Sequence, residues 1–280
     1  MSVRYRSFRF IDLFSGIGGF HLALSTIGGK CVMASDIDEA ANDSYKVNFG
    51  IEPLGDIKQI DANTIPNFDL LCGGFPCQSF SQIGQKGGLD DDRGALIYDV
   101  VRILEAKSPK AFILENVKGL TTHDKGRTFK FIIQLLEEAG YKVKHKLITA
   151  TDFNLPQIRN RVFIVGVRKD IGIEFDYPNP LKRTLTLDQV MGGQTERQYA
   201  FTIRCGGRRS GIDNKFNWDC YRVDGQIRYI TVQECLALQG FPRDLVLAGN
   251  SDKKYRLVGN SVPVNIVREI GRQLIKQGII

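Results

Sequence analysis

The stretch 70-LLCGGFPCQS-79 decides the fold, because an apolar run at residues 68–71 ends in two glycines followed by a proline–cysteine pair. Such a run is typical of a buried parallel strand. In an open α/β sheet the chemistry lies outside the carboxyl ends of the strands, so Cys77 stands where a thiolate is useful. Pro76 stiffens the turn that carries this sulfur. Taken alone, however, Cys77 is better interpreted as a small buried hydrophobic residue.

The segment after this strand predicts a lid. Residues 78–94 are glycine-rich and polar and show little hydrophobic pattern. A loop of this length in a compact domain is usually functional or disordered. We therefore expect it to close over a site at the end of the strand.

Upstream, a strand at residues 9–14 runs into Ser-Gly-Ile-Gly-Gly and then a helical pattern, which is typical of a nucleotide-binding unit although it departs from GxGxxG. A second strand at residues 29–35 ends at Asp36, where an acidic side chain can hold ribose hydroxyls. We interpret Asp36 as the ribose ligand and Asp38 as the cap of the next helix. Asp56 fits a turn cap and an adenine contact equally well.

Composition narrows the class of protein. The chain has 280 residues, 42% of them hydrophobic, which suits one large α/β domain with a small insertion. No run approaches the length of a membrane span, and no secretory signal is recognised, so we expect reduced thiols in a cytoplasm. The six cysteines form no CxxC pair, which argues against zinc. A net charge of +7 is compatible with a polyanionic partner.

Downstream, charged side chains end or begin predicted strands. Glu115 follows a strand beside that of Cys77, where burial would raise its pKa, although a helix cap is the commoner role. Arg159 and Arg161 alternate in extended chain and would project from one face, which suits a phosphate or carboxylate but also an ordinary basic loop.

The segment 172–226 loses regular periodicity and mixes basic, amide and aromatic side chains. This mixture suits contacts to phosphates and base edges, and equally an irregular surface. After it, Thr231 and Glu234 form a capping box that predicts a helix ending at Gly240. Residues 255–263 are interpreted as a turn into a terminal helix at 264–274.

Together these segments resemble the bacterial DNA (cytosine-5)-methyltransferases of type II restriction-modification systems. The matching words, in the linear order of the family, are DLFSGIGG at 12–19, GFPCQ at 74–78, ENV at 115–117, QIRNR at 157–161, the stretch 228–242, and GNSV at 259–262. They span nearly the whole chain. The stretch between 161 and 228 is short for the family, so the recognition region is compact.

The resemblance implies a fold and partners. It implies an α/β, Rossmann-like S-adenosylmethionine-dependent domain, with a mixed, mostly parallel sheet and helices on both faces, plus a small irregular target-recognition domain. We place the catalytic domain at 1–175 with 254–280 and the recognition domain with its hinge at 176–253. The implied partner is double-stranded DNA, with no membrane and no metal. We expect a monomer in a bacterial or phage cytoplasm, associated with the nucleoid, with a possible restriction endonuclease acting on the same site.

The resemblance also assigns residues. The catalytic set is Cys77, Glu115, Arg159 and Arg161. The S-adenosylmethionine-binding set is Phe14, Ser15, Gly16, Ile17, Gly18, Gly19, Asp36, Ile37, Asp56, Ile57, Gly74, Pro76, Leu96, Asn260, Ser261 and Val262. From the lid and the irregular segment we predict a DNA-binding set of Ser79, Ser81, Gln82, Gln85, Arg204, Arg208, Arg209, Lys215 and Trp218.

The chemistry explains why these residue types are needed. Cytosine C5 becomes nucleophilic only when a thiolate adds at C6, and the base must first be flipped out of the duplex. A protonated Glu115 can donate to N3 while an arginine holds O2. Two alternatives stay open: a tRNA cytosine-5 methyltransferase, although the Cys-Phe-Thr word of such enzymes is missing, and a DNA-binding relative without activity. The presence of Cys77, Glu115 and both arginines argues against the second.

Overall fold

The computed structural model describes residues 7–76 and 96–280. The strands are β1 (Phe8–Leu13), β2 (Gly29–Ser35), β3 (Leu70–Gly73), β4 (Ala111–Val117), β5 (Tyr141–Thr149), β6 (Asn160–Arg168), β7 (Cys220–Val223) and β8 (Gln226–Tyr229). The helices are α1 (Gly19–Ser25), α2 (Glu39–Phe49), α3 (Leu96–Lys107), α4 (Arg127–Glu138), α5 (Leu187–Met191), α6 (Val232–Gln239), α7 (Ser251–Asn260) and α8 (Val264–Lys276).

Six strands form one mixed sheet in the order β2-β1-β3-β4-β6-β5. The first four are parallel, and β6 is antiparallel to both β4 and β5. The predicted mostly parallel α/β sheet is therefore confirmed. The order places β3 between β1 and β4, so the glycine turn after β1 and the stretch after β3 lie at the same edge.

Alternate residues of the central strands bury opposite faces of the sheet. In β1, Phe8 and Phe10 join one apolar cluster while Ile11 and Leu13 join another. In β3 all four residues are buried, which explains the unbroken apolar run in the sequence. Helices pack on both faces: α1 and α8 contribute Leu24 and Ile270 to the first cluster, and α3 and α4 contribute Ile103 and Ile132 to the second.

Two boundaries differ from the sequence-based expectation. Residues predicted as a turn before the terminal helix form α7, which begins after Asn250 as N-cap and ends at Asn260. β4 does not stop at Leu114 but runs through Glu115 to Val117, because antiparallel pairing with β6 extends it. The division at 253/254 falls inside α7, and the domain assignment stays a prediction.

The apolar cluster on one face continues from the main sheet into the region after α5. Trp218, Tyr221 and Leu236 belong to the same cluster as Phe10 and Ile113. The antiparallel β7–β8 hairpin, which no sequence pattern predicted, carries Tyr221 into it. No helix within residues 7–76 and 96–280 is long and apolar enough to cross a membrane.

Candidate active site

Glu115 and Arg161 meet where β4 ends and β6 begins. In the antiparallel register Val117 lies opposite Arg161, so Glu115, two residues away, lies on the same face. Arg161 Nε is 2.8 Å from Glu115 Oε1, and both side chains are nearly buried. Gly74 borders the pair, because a Cβ there would lie 3.4 Å from Glu115 Oε2. The sheet therefore joins an acid and a cation directly beside the stretch that leads to Cys77.

Burial governs the acid. It raises the pKa of Glu115 above its ordinary value, while the charges of Arg161 and Arg159 act in the opposite direction. A carboxyl group whose pKa is raised retains a proton to higher pH and can donate a hydrogen bond. Its neighbour Arg161 supplies N–H donors at the same point.

Asn116, which the sequence analysis left without a role, is buried near the end of β4. Its Nδ2 donates to the carbonyl of Phe75 at 2.8 Å, and its Oδ1 accepts from the N–H of Val117 at 2.8 Å. Phe75 lies two residues before Cys77. One buried amide thus ties the stretch after β3 to the end of β4. Its position between Glu115 and Val117 in one polar word at a strand end is the signal that could have identified it.

Arg159 differs from the expectation that both arginines surround the target base. It is only 1% exposed and donates to the carbonyl oxygens of Gly259 at 2.8 Å and Ser261 at 2.7 Å. A third contact joins it to the carbonyl of Ile203 at 3.3 Å. Burial, with Arg161 nearby, lowers its pKa to about 9. Both of its Nη groups donate to the backbone, so of the two arginines only Arg161 is paired with Glu115.

The glycine turn between β1 and α1 has the conformation its sequence demands. Phe14, Gly16 and Gly18 all have positive φ, at 54°, 51° and 82°. A Cβ on Gly18 would lie 2.2 Å from the ring of Phe49, and one on Gly19 would lie 2.6 Å from Val262. At Gly16 nothing lies within 4 Å of that position. The turn is therefore closely packed at its base and open at Gly16.

The carboxylate of Asp36 closes this turn. Its two oxygens accept the N–H groups of Gly16 at 2.8 Å and Asp38 at 2.9 Å. Burial raises its pKa. Asp38 is the N-cap of α2 and accepts from the N–H of Ala41, as predicted. Each oxygen of Asp36 keeps a lone pair for a hydroxyl, since a carboxylate oxygen accepts about two hydrogen bonds.

The remaining predicted cofactor residues divide by exposure. Ile37 is 77% exposed beside Asp36, whereas Ile17 and Ile57 are buried, one in each of the two apolar clusters. Asp56 caps the short 3₁₀ turn Ile57–Gln59, and its stretch is held by Ser35 Oγ, which donates to the carbonyl of Gly55 at 2.8 Å. Asp56 therefore does act as a turn cap, and its adenine contact stays a prediction.

The described residues fit the nucleoside of S-adenosylmethionine. The buried hydroxyl of Ser15 has no hydrogen-bond partner among the described residues. Ser15 precedes Gly16, whose N–H donates to the carboxylate of Asp36, and the exposed apolar side chain of Ile37 follows Asp36. The hydroxyls of a ribose need hydrogen-bonding groups such as Ser15 and Asp36, and an adenine ring needs an apolar surface such as Ile37.

The other members of the cofactor set lie in segments that are distant in the chain from this turn. Val262 packs on Gly19, Ser261 is buried and Asn260 is exposed. Gly74 borders Glu115 rather than the turn. Pro76 is exposed at the end of the described stretch, and Leu96 is half-buried at the start of α3. The turn between α7 and α8 thus brings Val262 to Gly19, and Leu96 packs against the same apolar cluster as Phe14.

In the recognition segment, the structure changes the interpretation of one predicted DNA-binding residue, Trp218. Trp218 is 1% exposed, and its indole N–H donates to the carbonyl of Gly206 at 2.9 Å, so it is a core residue and cannot contact DNA as predicted. Its neighbour Phe216 is instead 57% exposed, 5.0 Å from the ammonium of Lys215. Sequence analysis missed this exchange because both aromatic residues lie in the same irregular stretch.

The predicted basic residues also divide. Arg204, Arg209 and Lys215 are exposed. Arg208 is largely engaged: its guanidinium lies 3.7 Å from the centre of the Tyr255 ring and pairs with Asp252 at 2.5 Å.

Cys77, Ser79, Ser81, Gln82 and Gln85, with the predicted lid, lie outside the described residues. Within the described ranges no cluster of His, Cys, Asp or Glu side chains could hold a metal.

Comparisons with known proteins agree with this geometry. Residues 8–205 and 193–276 match the family model for C-5 cytosine-specific DNA methylases. The type II methyltransferase M.DsaV of Dactylococcopsis salina is 38% identical over 96% of this chain and 86% of its own length. M1.ScrFI of Lactococcus lactis subsp. cremoris is 40% identical over 96% and 78%. The structure of a Dnmt2 methyltransferase from S. pombe is similar in fold, with a TM-score of 0.75 at 22% identity over 95% of this chain and 98% of its own.

Proposed function

The chain belongs to the C-5 cytosine-specific DNA methylase family and transfers methyl groups from S-adenosylmethionine to C5 of cytosine in DNA, and on this premise we propose that Cys77, Glu115 and Arg161 carry the chemistry. The observation that supports the proposal is the buried Glu115–Arg161 pair beside Gly74. Gly74 directly follows β3, the strand from which the chain leads to Cys77.

Cys77 acts as the nucleophile. Its thiolate forms a bond to C6 of a cytosine flipped out of the duplex, and the displaced electron density moves to N3 and O2. Glu115 in its protonated form donates to N3, and Arg161 donates to O2. C5 then carries enough electron density to take a methyl group. The C5 proton leaves to solvent, the C6–S bond breaks, and the thiolate is restored.

S-adenosylmethionine, when bound, supplies a methyl group on a sulfonium and leaves as S-adenosylhomocysteine. The turn at 14–19 would hold it, with Asp36 on the ribose hydroxyls and Ile37 on the adenine face. Asp56, Pro76, Leu96 and Asn260 remain proposed members of this site. Ile17, Ile57 and Val262 would support the site by packing in the core rather than by touching the cofactor, because their side chains are buried.

DNA would lie across the exposed cations of the recognition segment. Arg204, Arg209 and Lys215 are exposed and would contact phosphates or base edges, with Phe216 in place of Trp218 as the exposed aromatic. Ser79, Ser81, Gln82 and Gln85 keep their proposed role in the lid. The relatives named as type II methyltransferases support a restriction-modification role for this chain. A separate endonuclease for the same site, a monomeric state and a cytoplasmic, nucleoid-associated location belong to this proposal.

The test is transfer of labelled methyl groups from S-adenosylmethionine to unmethylated plasmid DNA, with tRNA in parallel, for the wild type and Cys77→Ser. We expect label on DNA with the wild type alone, and mapping the modified cytosines then gives the site. Equal transfer by Cys77→Ser would contradict the proposed nucleophile. Label on tRNA alone would favour the RNA enzyme, and binding without transfer would favour an inactive DNA-binding protein.

A further inference from the structure

Arg159 binds backbone carbonyls from two segments that are far apart in the chain. Nη2 donates to Gly259 and Ser261, on either side of Asn260, and Nη1 donates to Ile203 in the recognition segment. These carbonyl dipoles point at one place, where they would repel one another without a cation. A planar guanidinium can satisfy several such acceptors at once, which a lysine ammonium cannot do with the same geometry.

The segment 200–203 is held to the entry of β6 by further bonds. The N–H of Ile158 donates to the carbonyl of Ala200 at 2.9 Å, and Gln157 Oε1 accepts from the N–H of Ile203 at 3.3 Å. Thr202 Oγ1 donates to the carbonyl of Ile158. The recognition segment is therefore fixed to the same short stretch that leads into Arg161.

The same segment also touches the end of α7 directly. A Cβ on Gly259 would lie 2.9 Å from the backbone carbon and oxygen of Arg204, so only glycine allows this approach. One residue further on, Cys205 Sγ donates to Asn260 Oδ1 at 2.6 Å. Behind the turn, Gln239 Nε2 donates to the carbonyl of Val258 at 3.1 Å. The recognition segment and the turn 259–262 are thus joined by direct contacts around Arg159.

We infer that Arg159 is a positioning residue that couples DNA binding on the recognition segment to S-adenosylmethionine binding at the turn 259–262. The inference rests on the proposed function, since it takes Asn260 and Val262 as neighbours of the cofactor and Arg204 as a neighbour of DNA. When DNA orders the recognition segment, it also fixes the carbonyl of Ile203. The Arg159 guanidinium, which binds this carbonyl, then holds the carbonyls on both sides of Asn260. The cofactor then binds to a turn whose ordering has already been accomplished.

The experiment measures binding, so it does not depend on methyl transfer. The dissociation constant of labelled S-adenosylhomocysteine is determined by equilibrium dialysis with and without saturating unmethylated plasmid DNA. For the wild-type protein we expect DNA to tighten S-adenosylhomocysteine binding at least about fivefold. For Arg159→Lys we expect this ratio to fall to about one. Arg161→Lys is the matched control, which should retain the ratio while losing turnover.

A wild-type ratio of one, or an unchanged ratio in a folded Arg159→Lys protein, would overturn the inference. If Arg159→Lys does not fold, as judged by circular dichroism, Gly259→Ala tests the same contacts because its methyl group separates Arg204 from the turn. A reduced ratio in Gly259→Ala supports the inference and a retained ratio overturns it. Coupling without methyl transfer would contradict the proposed function alone.

Discussion

The rim of the sheet around Glu115 and the recognition segment around Trp218 differ in what fixes their side chains. At the rim, the register of β4 and β6 places Glu115 and Arg161 on one face, so the pair follows from strand geometry. In the recognition segment, Trp218 is buried and Phe216 is exposed although neither lies in a strand or helix. Regular structure makes a side chain's direction predictable, whereas in irregular chain the tertiary packing decides it.

The rim should show the larger effect on catalysis. Glu115→Gln removes the proton that the acid supplies to N3, and we expect kcat for DNA methylation to fall by about 10²–10⁴. Because burial raises the pKa of Glu115, the wild-type rate should decline as the pH rises through that pKa and the acid ionises. This decline should be absent from the Glu115→Gln profile.

The control for Glu115→Gln is the dissociation constant of S-adenosylhomocysteine, which should match that of the wild type. A kcat within tenfold of the wild-type value would show that the register brings the two groups together without giving the acid a chemical role. The Glu115–Arg161 pair would then be a structural feature of the rim without a part in catalysis.

The recognition segment should show its largest effect in stability. Trp218→Ala removes a buried indole and its hydrogen bond to Gly206, so we expect the free energy of unfolding to fall by about 3–5 kcal/mol. Urea denaturation measures this value. Lys215→Ala, an exposed change in the same segment, should stay within about 0.5 kcal/mol. A loss below about 1 kcal/mol for Trp218→Ala would contradict its assignment as a core residue.

Phe216→Ala should show the opposite pattern. An exposed aromatic side chain contributes by stacking on bases, so we expect the dissociation constant for unmethylated plasmid DNA to rise at least about fivefold, or roughly 1 kcal/mol. The melting temperature should not change, because the ring is largely in solvent. Phe216→Tyr keeps the aromatic face and should bind like the wild type. Unchanged binding by Phe216→Ala would leave the ring as ordinary surface.

The same contrast explains how much could be predicted. The strand at 29–35, the cap at Asp38 and the capping box at Thr231 followed from local pattern, because the signal and the structure lie in the same few residues. The β7–β8 hairpin and the helical state of 251–260 did not, since packing on the main core stabilises them. Arg159 illustrates the limit: its spacing from Arg161 was visible, but its carbonyl partners lie up to 102 residues away.

Helix caps should give the smallest effect, and a similar one in both regions. Thr231→Ala removes the hydroxyl that accepts the N–H of Glu234, which should cost about 1 kcal/mol in the free energy of unfolding. Asp38→Ala, at the start of α2, loses the equivalent bond to Ala41 and a partly exposed ion pair with Lys253 that adds little, so it should cost a similar amount.

Urea denaturation of both cap variants, with methylation measured for Thr231→Ala, tests whether local signals act alike at the rim and in the recognition segment. Glu234 still holds the N–H of Thr231 and the guanidinium of Arg228 in the Thr231→Ala protein, so kcat should be unchanged. A cost near zero for Thr231→Ala with a normal cost for Asp38→Ala would mean that α6 is held by its core contacts alone. The capping box would then have predicted the helix correctly without stabilising it. The two regions would therefore differ even in those elements that local sequence patterns predict.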